Sequence, residues 1–153
     1  MASAWHWVSI GTADIGAALD FWVGRLGFEC VARAEGDDPG LREHWGLADR
    51  QIARQAMVRS AGAENGGMHL VEWDAAADSV RAEAQVFDLC PKNLDIYVDD
   101  LPARMAQLVD QGVVFRNEHY SEAVSPDGVH FREIHLAGHD DINIVLLQVI
   151  GSD

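Results

Sequence analysis

The sequence has no long apolar run and no leader-like start. No stretch of the 153 residues approaches the ~20 continuous apolar residues that a membrane-spanning helix needs, so a membrane protein is not expected. The first residues, MASAWHWVSI, lack the basic segment and the apolar core that mark a signal peptide, and they are typical of a β-strand instead. We therefore expect a cytoplasmic location.

Basic residues and cysteines are also few. Lysine and arginine number 11 against 25 acidic residues, which gives a formal net charge of −14 at pH 7. Such a field repels phosphate backbones and anionic lipids, so nucleic acid and membrane are not expected partners, whereas a cationic ligand is compatible with it. Cys30 and Cys90 show neither CxxC nor Cys–His spacing, and we interpret them as buried small apolar residues.

Length and composition favour one domain, residues 1–153, with 48% apolar and 24% charged residues. Within it the order of strand, helix and three strands occurs twice. The first module covers about residues 4–74, a connection about residues 75–91, and the second module about residues 92–150.

The first module is delimited by caps and turns. Asp14 can cap an amphipathic helix that Gly27 ends, and Gly36 to Gly40 is rich in turn-forming residues. The predicted elements are a strand (5–11), a helix (15–25), a strand (28–31), a short helix (41–47) and two strands (51–59 and 68–73).

The second module repeats this order. Asp99 and Asp100 supply the cap, and Gly112 ends the helix. The predicted elements are a strand (94–98), a helix (101–111), a short strand (113–115) and a hairpin of two strands (129–137 and 142–150). The sequence thus predicts an α+β fold, in which two βαβββ modules form a cupped mixed sheet with helices outside.

Four motifs occur in a characteristic order along nearly the whole chain. They are Asp14 through Phe21-Trp22 to Leu26-Gly27-Phe28, then Leu70-Val71-Glu72-Trp73, then Val98-Asp99-Asp100 with Gln111-Gly112, and finally Asn143 to Gln148. In this order they resemble the vicinal-oxygen-chelate superfamily, which contains glyoxalases, bleomycin-resistance proteins, extradiol dioxygenases and methylmalonyl-CoA epimerases. The resemblance implies the fold and, because members often form homodimers, a homodimer.

Catalytic members of that superfamily hold one divalent metal with His, Gln or Glu from the first and last strands of each module. The resemblance places the four positions at Trp7, His69, Asn93 and Leu146. Only His69 is a good ligand, and an apolar Leu146 cannot replace a carboxylate. We therefore expect no metal cofactor. A divalent metal stays the alternative, bound by His69 together with His6 or His135.

Chemistry without a metal would depend on the inner face of the sheet. By strand alternation this face includes Trp7, His69 and Asn93, with Val71 and Trp73, and Trp45 could join them from the short helix. These tryptophans together could stack on a planar ligand, whereas a place in the core is the simpler interpretation for any single one of them. Leu146 completes the predicted ligand-binding set.

The candidate catalytic residues are His69 and His135, because imidazole can both donate and accept a proton near neutral pH. Glu133 or Glu72 could orient one of these histidines. A structural role is the alternative for each. No Ser/Cys–His–acid grouping, phosphate loop or dinucleotide fingerprint is present.

Three functions stay open. The first is a metal-independent protein that binds a hydrophobic, ring-containing metabolite or antibiotic, with a place in secondary metabolism, and that acts as an isomerase or lyase through histidine acid–base chemistry if it is an enzyme. The second is a metal-dependent glyoxalase-, epimerase- or dioxygenase-type enzyme. The third is a drug-sequestering resistance protein without catalysis. Fold alone does not choose among them.

Overall fold

The computed structural model describes residues 6–84 and 93–152. The chain divides into two units, Met1–Asp78 and Ser79–Asp153, which we call unit 1 and unit 2. Each unit contains one four-stranded mixed sheet, which we call sheet 1 in unit 1 and sheet 2 in unit 2. The expectation of a single domain over residues 1–153 stays a prediction.

Unit 1 has the order βαβ(α)ββ. Its elements are β1 (Trp7–Thr12), α1 (Ile15–Leu19), a π-helical continuation of α1 (Asp20–Arg25), β2 (Phe28–Glu35), α2 (Pro39–His44), β3 (Ile52–Ser60) and β4 (Gly67–Trp73). The strand order is β1-β4-β3-β2. Strand β1 is parallel to β4, and the other two pairs are antiparallel.

Unit 2 repeats this topology. Its elements are β5 (Leu94–Tyr97), α3 (Leu101–Asp110), β6 (Ser121–Val124), β7 (Val129–Ala137), a 3₁₀ turn (His139–Asp141) and β8 (Asn143–Ser152). The strand order is β5-β8-β7-β6, with β5 parallel to β8. The predicted α+β class and the two βαβββ modules are therefore confirmed.

The helix of each unit begins where an aspartate caps it. Asp14 Oδ1 accepts hydrogen bonds from Gly16 N at 2.7 Å and Ala17 N at 3.3 Å. Asp100 Oδ1 accepts one from Ala103 N at 3.0 Å. These bonds satisfy backbone donors that have no partner within the first turn of a helix, so the predicted helix starts have a physical cause.

A side chain from the last strand of each unit reaches the start of the helix. Glu72 Oε2 accepts a hydrogen bond from Ile15 N at 2.7 Å, and Gln148 Oε1 accepts one from Leu101 N at 3.1 Å. Because successive strand residues point to opposite faces, these two contacts fix which face the helix covers. We call it the near face of each sheet, and the opposite one the far face.

The near faces carry the apolar core. In unit 1, Met68 and Leu70 of β4 pair with Val58 and Ala56 of β3, and Trp22 of the helical segment is also buried. The buried near-face and helix side chains of unit 2 are Leu101, Leu108, Ile134, Leu136, Ile144 and Leu146. Burying such side chains contributes roughly 1.5–3 kcal/mol each, so the helices are held by packing more than by their own propensity.

The second strand of module 2 is not where the sequence placed it. Residues 113–115 form only a single bridge between Phe115 and Leu136. The strand is β6, at Ser121–Val124, which pairs with β7 and is exposed along its length. Val113 is 6% exposed, so its apolar character reflects burial and not strand formation.

Two smaller expectations also changed. Helix α2 begins at Pro39, earlier than predicted, because Asp38 Oδ1 caps Leu41 N at 2.9 Å. Cys30 is half-buried and its Sγ accepts a hydrogen bond from Arg33 Nε at 3.3 Å, so it is not a buried apolar residue. Cys90 and part of the predicted connection lie outside the described residues.

Among helices within 6–84 and 93–152, none is long and apolar enough to cross a membrane.

Candidate functional site

The far face of sheet 1 brings polar and aromatic side chains together. Strand pairing places Ser9 opposite His69 and Gly11 opposite Val71 between β1 and β4. It also places Met57 opposite His69 and Gln55 opposite Val71 between β3 and β4. By alternation, the far face of β1 and β4 carries Trp7, Ser9, Gly11, His69, Val71 and Trp73.

Two tryptophans form an aromatic corner beside His69. Trp45 caps the C-terminus of α2, and its ring centroid lies 6.0 Å from that of Trp73 at an interplanar angle of 61°. The same ring lies 6.1 Å from the imidazole of His69. Trp73 lies over Gly11, where an added Cβ would be 3.5 Å from its indole Nε1. We call these two side chains the Trp45–Trp73 corner.

His69 is held by two hydrogen bonds. Its Nε2 donates to Gln55 Oε1 at 2.8 Å, and Ser9 Oγ donates to its Nδ1 at 3.4 Å. Because an amide oxygen can only accept, the proton of neutral His69 resides on Nε2 and leaves Nδ1 as an acceptor. Ser9 is exposed and its bond is long, so this acceptor is accessible to a competing donor.

Burial sets the protonation of His69. Desolvation lowers the pKa of His69 below its usual value, and the nearby charge of Asp38 opposes the shift. Burial disfavours the imidazolium because a charge is poorly solvated there. The neutral imidazole with an accepting Nδ1 is therefore the form present at neutral pH.

Trp7 has a close structural partner on the same face. A Cβ added at Gly67 would lie 2.0 Å from the Trp7 ring, so the indole lies directly on the Gly67 backbone. The neighbouring His6 packs edge to face on Trp7, with 5.1 Å between the two ring centroids. The Nδ1 of His6 is hydrogen-bonded to Asn65 Oδ1 at 3.0 Å. Trp7 thus helps to hold β1 on β4, in addition to lining the far face.

The far face of sheet 2 carries a second polar group. Arg116 Nε donates to Asn143 Oδ1 at 3.0 Å, and Asn143 Nδ2 is 3.0 Å from His135 Nδ1. On the other side of the ring, His135 Nε2 lies 3.8 Å from Glu133 Oε1. The structure therefore brings the predicted His135 and Glu133 together, and it adds Arg116 and Asn143, which the sequence did not indicate.

Two predicted site residues lie on the opposite face. Leu146 pairs with Ile96 and Ile134, shares the near face with Gln148, and is 1% exposed, so it is a core residue and lines no ligand cavity on the far face. Glu72 is also on the near face, where Arg54 Nη2 donates to its Oε1 at 2.8 Å, and it cannot orient His69.

The donors at the four positions of the family metal site do not fit a divalent ion. Glu72 and Gln148 occupy equivalent positions in the two modules, so the position equivalent to His69 is Val145 and not Leu146. Val145 is apolar, as Leu146 is, and cannot bind a metal. Trp7 offers no ligand, and Asn93 offers only a neutral amide oxygen, which binds a divalent ion weakly. In the parts of the chain that the structure describes, no group of three or more His, Cys, Asp or Glu side chains could hold a metal ion.

Comparison with solved structures finds the same fold in several proteins. A glyoxalase family protein from Bacillus cereus matches with a TM-score of 0.77 and 19% identity over 99% of this chain and 97% of that chain. TnmS3, an antibiotic binding protein from Streptomyces sp. CB03234, matches with a TM-score of 0.58 and 24% identity over 97% of this chain and 98% of that chain.

A third match, a glyoxalase/bleomycin resistance protein/dioxygenase from Alicyclobacillus acidocaldarius, has a TM-score of 0.60 and 13% identity over 96% of this chain and 92% of that chain. No protein-family model and no curated protein sequence matches the chain. At these identities the likeness concerns the fold and does not establish the chemistry.

Proposed function

We propose that this chain, which has the vicinal-oxygen-chelate fold, is a metal-independent binding protein for a planar, ring-containing small molecule. The observation that carries the proposal is the Trp45–Trp73 corner beside a neutral His69 with an accepting Nδ1. An aromatic wall next to one oriented polar atom is the usual composition of a small-molecule site.

The corner favours a flat ligand. Two indoles inclined at 61° offer one face for stacking and one edge-to-face contact to the same ring. Such aromatic contacts contribute about 0.5–1.5 kcal/mol beyond the buried area. A ring of bicyclic size, bound against Trp45 and Trp73, would also reach His69, whose centroid is 6.1 Å from that of Trp45.

His69 adds a requirement on the polar edge of the ligand. Since Gln55 Oε1 occupies the protonated Nε2, the nitrogen that remains is an acceptor, and the ligand should present a hydroxyl or an N–H there. Displacing the long bond from Ser9 costs little because a bond of 3.4 Å is weak. The net charge of −14 further favours a neutral or cationic ligand over an anion.

Metal independence is supported by the donor set at the four family positions, which contains one imidazole, from His69, and one neutral amide, from Asn93. The likeness to TnmS3, described as an antibiotic binding protein, supports the class of ligand. We further propose that the protein is a cytoplasmic homodimer. Native mass spectrometry measures its subunit number, and a monomer would contradict that part.

We propose catalysis as an extension of this function, with sequestration as the alternative. A neutral imidazole whose Nε2–H is held by Gln55 can accept a proton at Nδ1 from an acidic C–H or O–H of the bound ligand. This is the first step of an isomerase or lyase reaction. Turnover of the bound compound would distinguish such an enzyme from a protein that only sequesters its ligand.

Isothermal titration calorimetry with two probes tests the binding mode. Indole has a bicyclic ring and an N–H donor, whereas benzofuran has nearly the same shape and no donor. We expect indole to bind more tightly than benzofuran, and His69→Ala to remove the difference. Trp45→Ala should weaken both probes by about tenfold, which corresponds to the loss of roughly 1.4 kcal/mol of stacking.

The matched control is Tyr120→Ala. This substitution removes an aromatic ring of unit 2 whose centroid lies 5.3 Å from Cζ of Arg132. The Trp45–Trp73 corner stays intact, so the affinity for both probes should not change. Equal affinity of wild type for the two probes would contradict the role of His69 Nδ1. Binding that survives Trp45→Ala and Trp73→Ala unchanged would contradict the site.

A further inference from the structure

A continuous series of polar groups crosses the far face of sheet 2. It starts at Arg116, passes through Asn143 to His135, and ends at Glu133. The members come from the segment between α3 and β6, from the first residue of β8 and from β7. Arg116 is also tied to β7 by its backbone, since its N donates to His135 O at 2.8 Å. Side chain and main chain therefore hold Arg116 beside the histidine.

The two hydrogen bonds of the series, Arg116 to Asn143 and Asn143 to His135, each have a fixed direction. A guanidinium has only donors, so Arg116 Nε must donate and the atom of Asn143 that faces it must be the oxygen. The amide nitrogen of Asn143, which is also donor-only, then faces His135 Nδ1 at 3.0 Å. His135 Nδ1 must accept, and it cannot carry a proton in this arrangement.

The opposite nitrogen of the ring therefore carries the proton. His135 Nε2 lies 3.8 Å from Glu133 Oε1, which exceeds hydrogen-bond distance. The carboxylate of Glu133 therefore lies beside this N–H without accepting a hydrogen bond from it. An acceptor oxygen of a ligand could bond this N–H, and a donor on the same ligand could bond Glu133.

We propose that Arg116 and Asn143 are positioning residues that hold His135 as its Nε2–H tautomer, so that this face presents a hydrogen-bond donor to a carbonyl oxygen. His135 then has the opposite role to His69, whose accessible ring nitrogen is an acceptor. A compound with a carbonyl beside an N–H or hydroxyl fits His135 and Glu133 together. The choice of a small molecule rests on the proposed function, whereas the tautomer does not.

Nuclear magnetic resonance of the full chain tests the tautomer without any ligand. In protein labelled with nitrogen-15 on histidine, ring correlations distinguish the two neutral forms, and His135→Gln identifies the signals of this residue. We expect the Nε2–H form of His135 in at least about tenfold excess over the Nδ1–H form. In the Nδ1–H form, the N–H of His135 would face the N–H of Asn143 at a part-buried position, and neither would have an acceptor.

Variants give the decisive readout, because an imidazole free in water also favours the Nε2–H form. Asn143→Asp presents only acceptors to Nδ1, so this nitrogen should become protonated. The glutamine of Arg116→Gln can both donate to and accept from Asn143, so His135 should become a mixture of its two tautomers. Arg116→Lys keeps a donor at this position and should retain the Nε2–H form. The control Arg132→Gln alters the neighbouring strand position, which pairs with Glu122, and should change nothing.

The backbone amide spectrum of each variant verifies that the fold is retained. A His135 that keeps the Nε2–H form in Asn143→Asp and in Arg116→Gln would overturn the positioning role. Benzamide, which has a carbonyl beside an amide N–H, then tests the donor role, and it should shift the Nε2 resonance of wild-type His135. An unshifted resonance at saturating benzamide would overturn the donor role while leaving the tautomer result in place.

Discussion

His69 combines two features that normally oppose each other, a polar ring and a desolvated place in a sheet. Burial lowers its pKa, and the hydrogen bonds to Gln55 and Ser9 keep both ring nitrogens in contact with polar atoms. Half-burial of this kind favours the uncharged form of the histidine. The site is therefore linked to pH through a single side chain.

The linkage has a definite sign. The folded-state pKa of His69 is lowered relative to the unfolded chain, so the unfolded state binds more protons in the window between the two values. The contribution of His69 to the free energy of unfolding is fully present above its usual pKa of about 6.5. It is lost as the pH falls from there through the lower folded-state pKa.

We expect the free energy of unfolding of wild type, relative to His69→Gln, to decrease as the pH falls within the range of about 5 to 8 where histidine titrates. Urea denaturation of both proteins at several pH values measures the difference, and the subtraction removes the other titrating groups. A difference that stays constant, or that grows on acidification, would contradict the burial of a neutral His69.

Sequence reasoning identified part of this site for a simple reason. Alternation along one strand fixes a face, and that alone joins His69 to Trp73. Gln55 was not identified because a single glutamine in a strand carries no signal of its role. Asn143 and Arg116 were missed because their partners are distant in sequence and depend on strand register and loop path.

At the scale of elements, the pairing of β1 with β4 depends on one glycine. Trp7 is paired with Gly67, and its ring occupies the space where a side chain on Gly67 would begin. The parallel pair can therefore carry a large aromatic residue at its edge only because the facing position has no Cβ. This contact also fixes where the indole lies on the far face.

Gly67→Ala should destabilise unit 1 by about 1–3 kcal/mol, because a Cβ 2.0 Å from the Trp7 ring forces the indole or the strand to move. Urea denaturation followed by circular dichroism measures the loss. Gly151→Ala, also in a strand, has nothing within 4 Å of its added Cβ and serves as the control. Equal stability of the two variants would show that Trp7 does not lie on Gly67.

Elements were predicted well where both ends carried a chemical signal. The caps Asp14 and Asp100 located two helices, whereas β6 was missed because its residues are exposed and do not alternate. Leu146 was assigned to the wrong face by a shift of one residue, which reverses every side chain of a strand. The equivalence of Glu72 and Gln148 gives the correct register, since both bind the first turn of a helix.

For the whole molecule, the sequence predicted the architecture better than the chemistry. The repeat of βαβββ is a property of many residues together, so local errors in single strands did not obscure it. A metal site depends on four positions, and here only His69 is a good ligand, since Trp7 and the apolar Val145 offer none and Asn93 offers only a neutral amide. A fold that commonly carries a metal is thus consistent with a binding protein that uses aromatic rings and oriented histidines.

Native mass spectrometry of the protein purified from its own host tests this account most directly, because one spectrum reports bound metal and any bound small molecule. Denaturing the same sample gives the mass of the bare chain for comparison. We predict an organic mass attached to the folded protein and no divalent ion. A spectrum with one divalent ion per chain and no organic ligand would contradict the account and would favour the metal-dependent alternative.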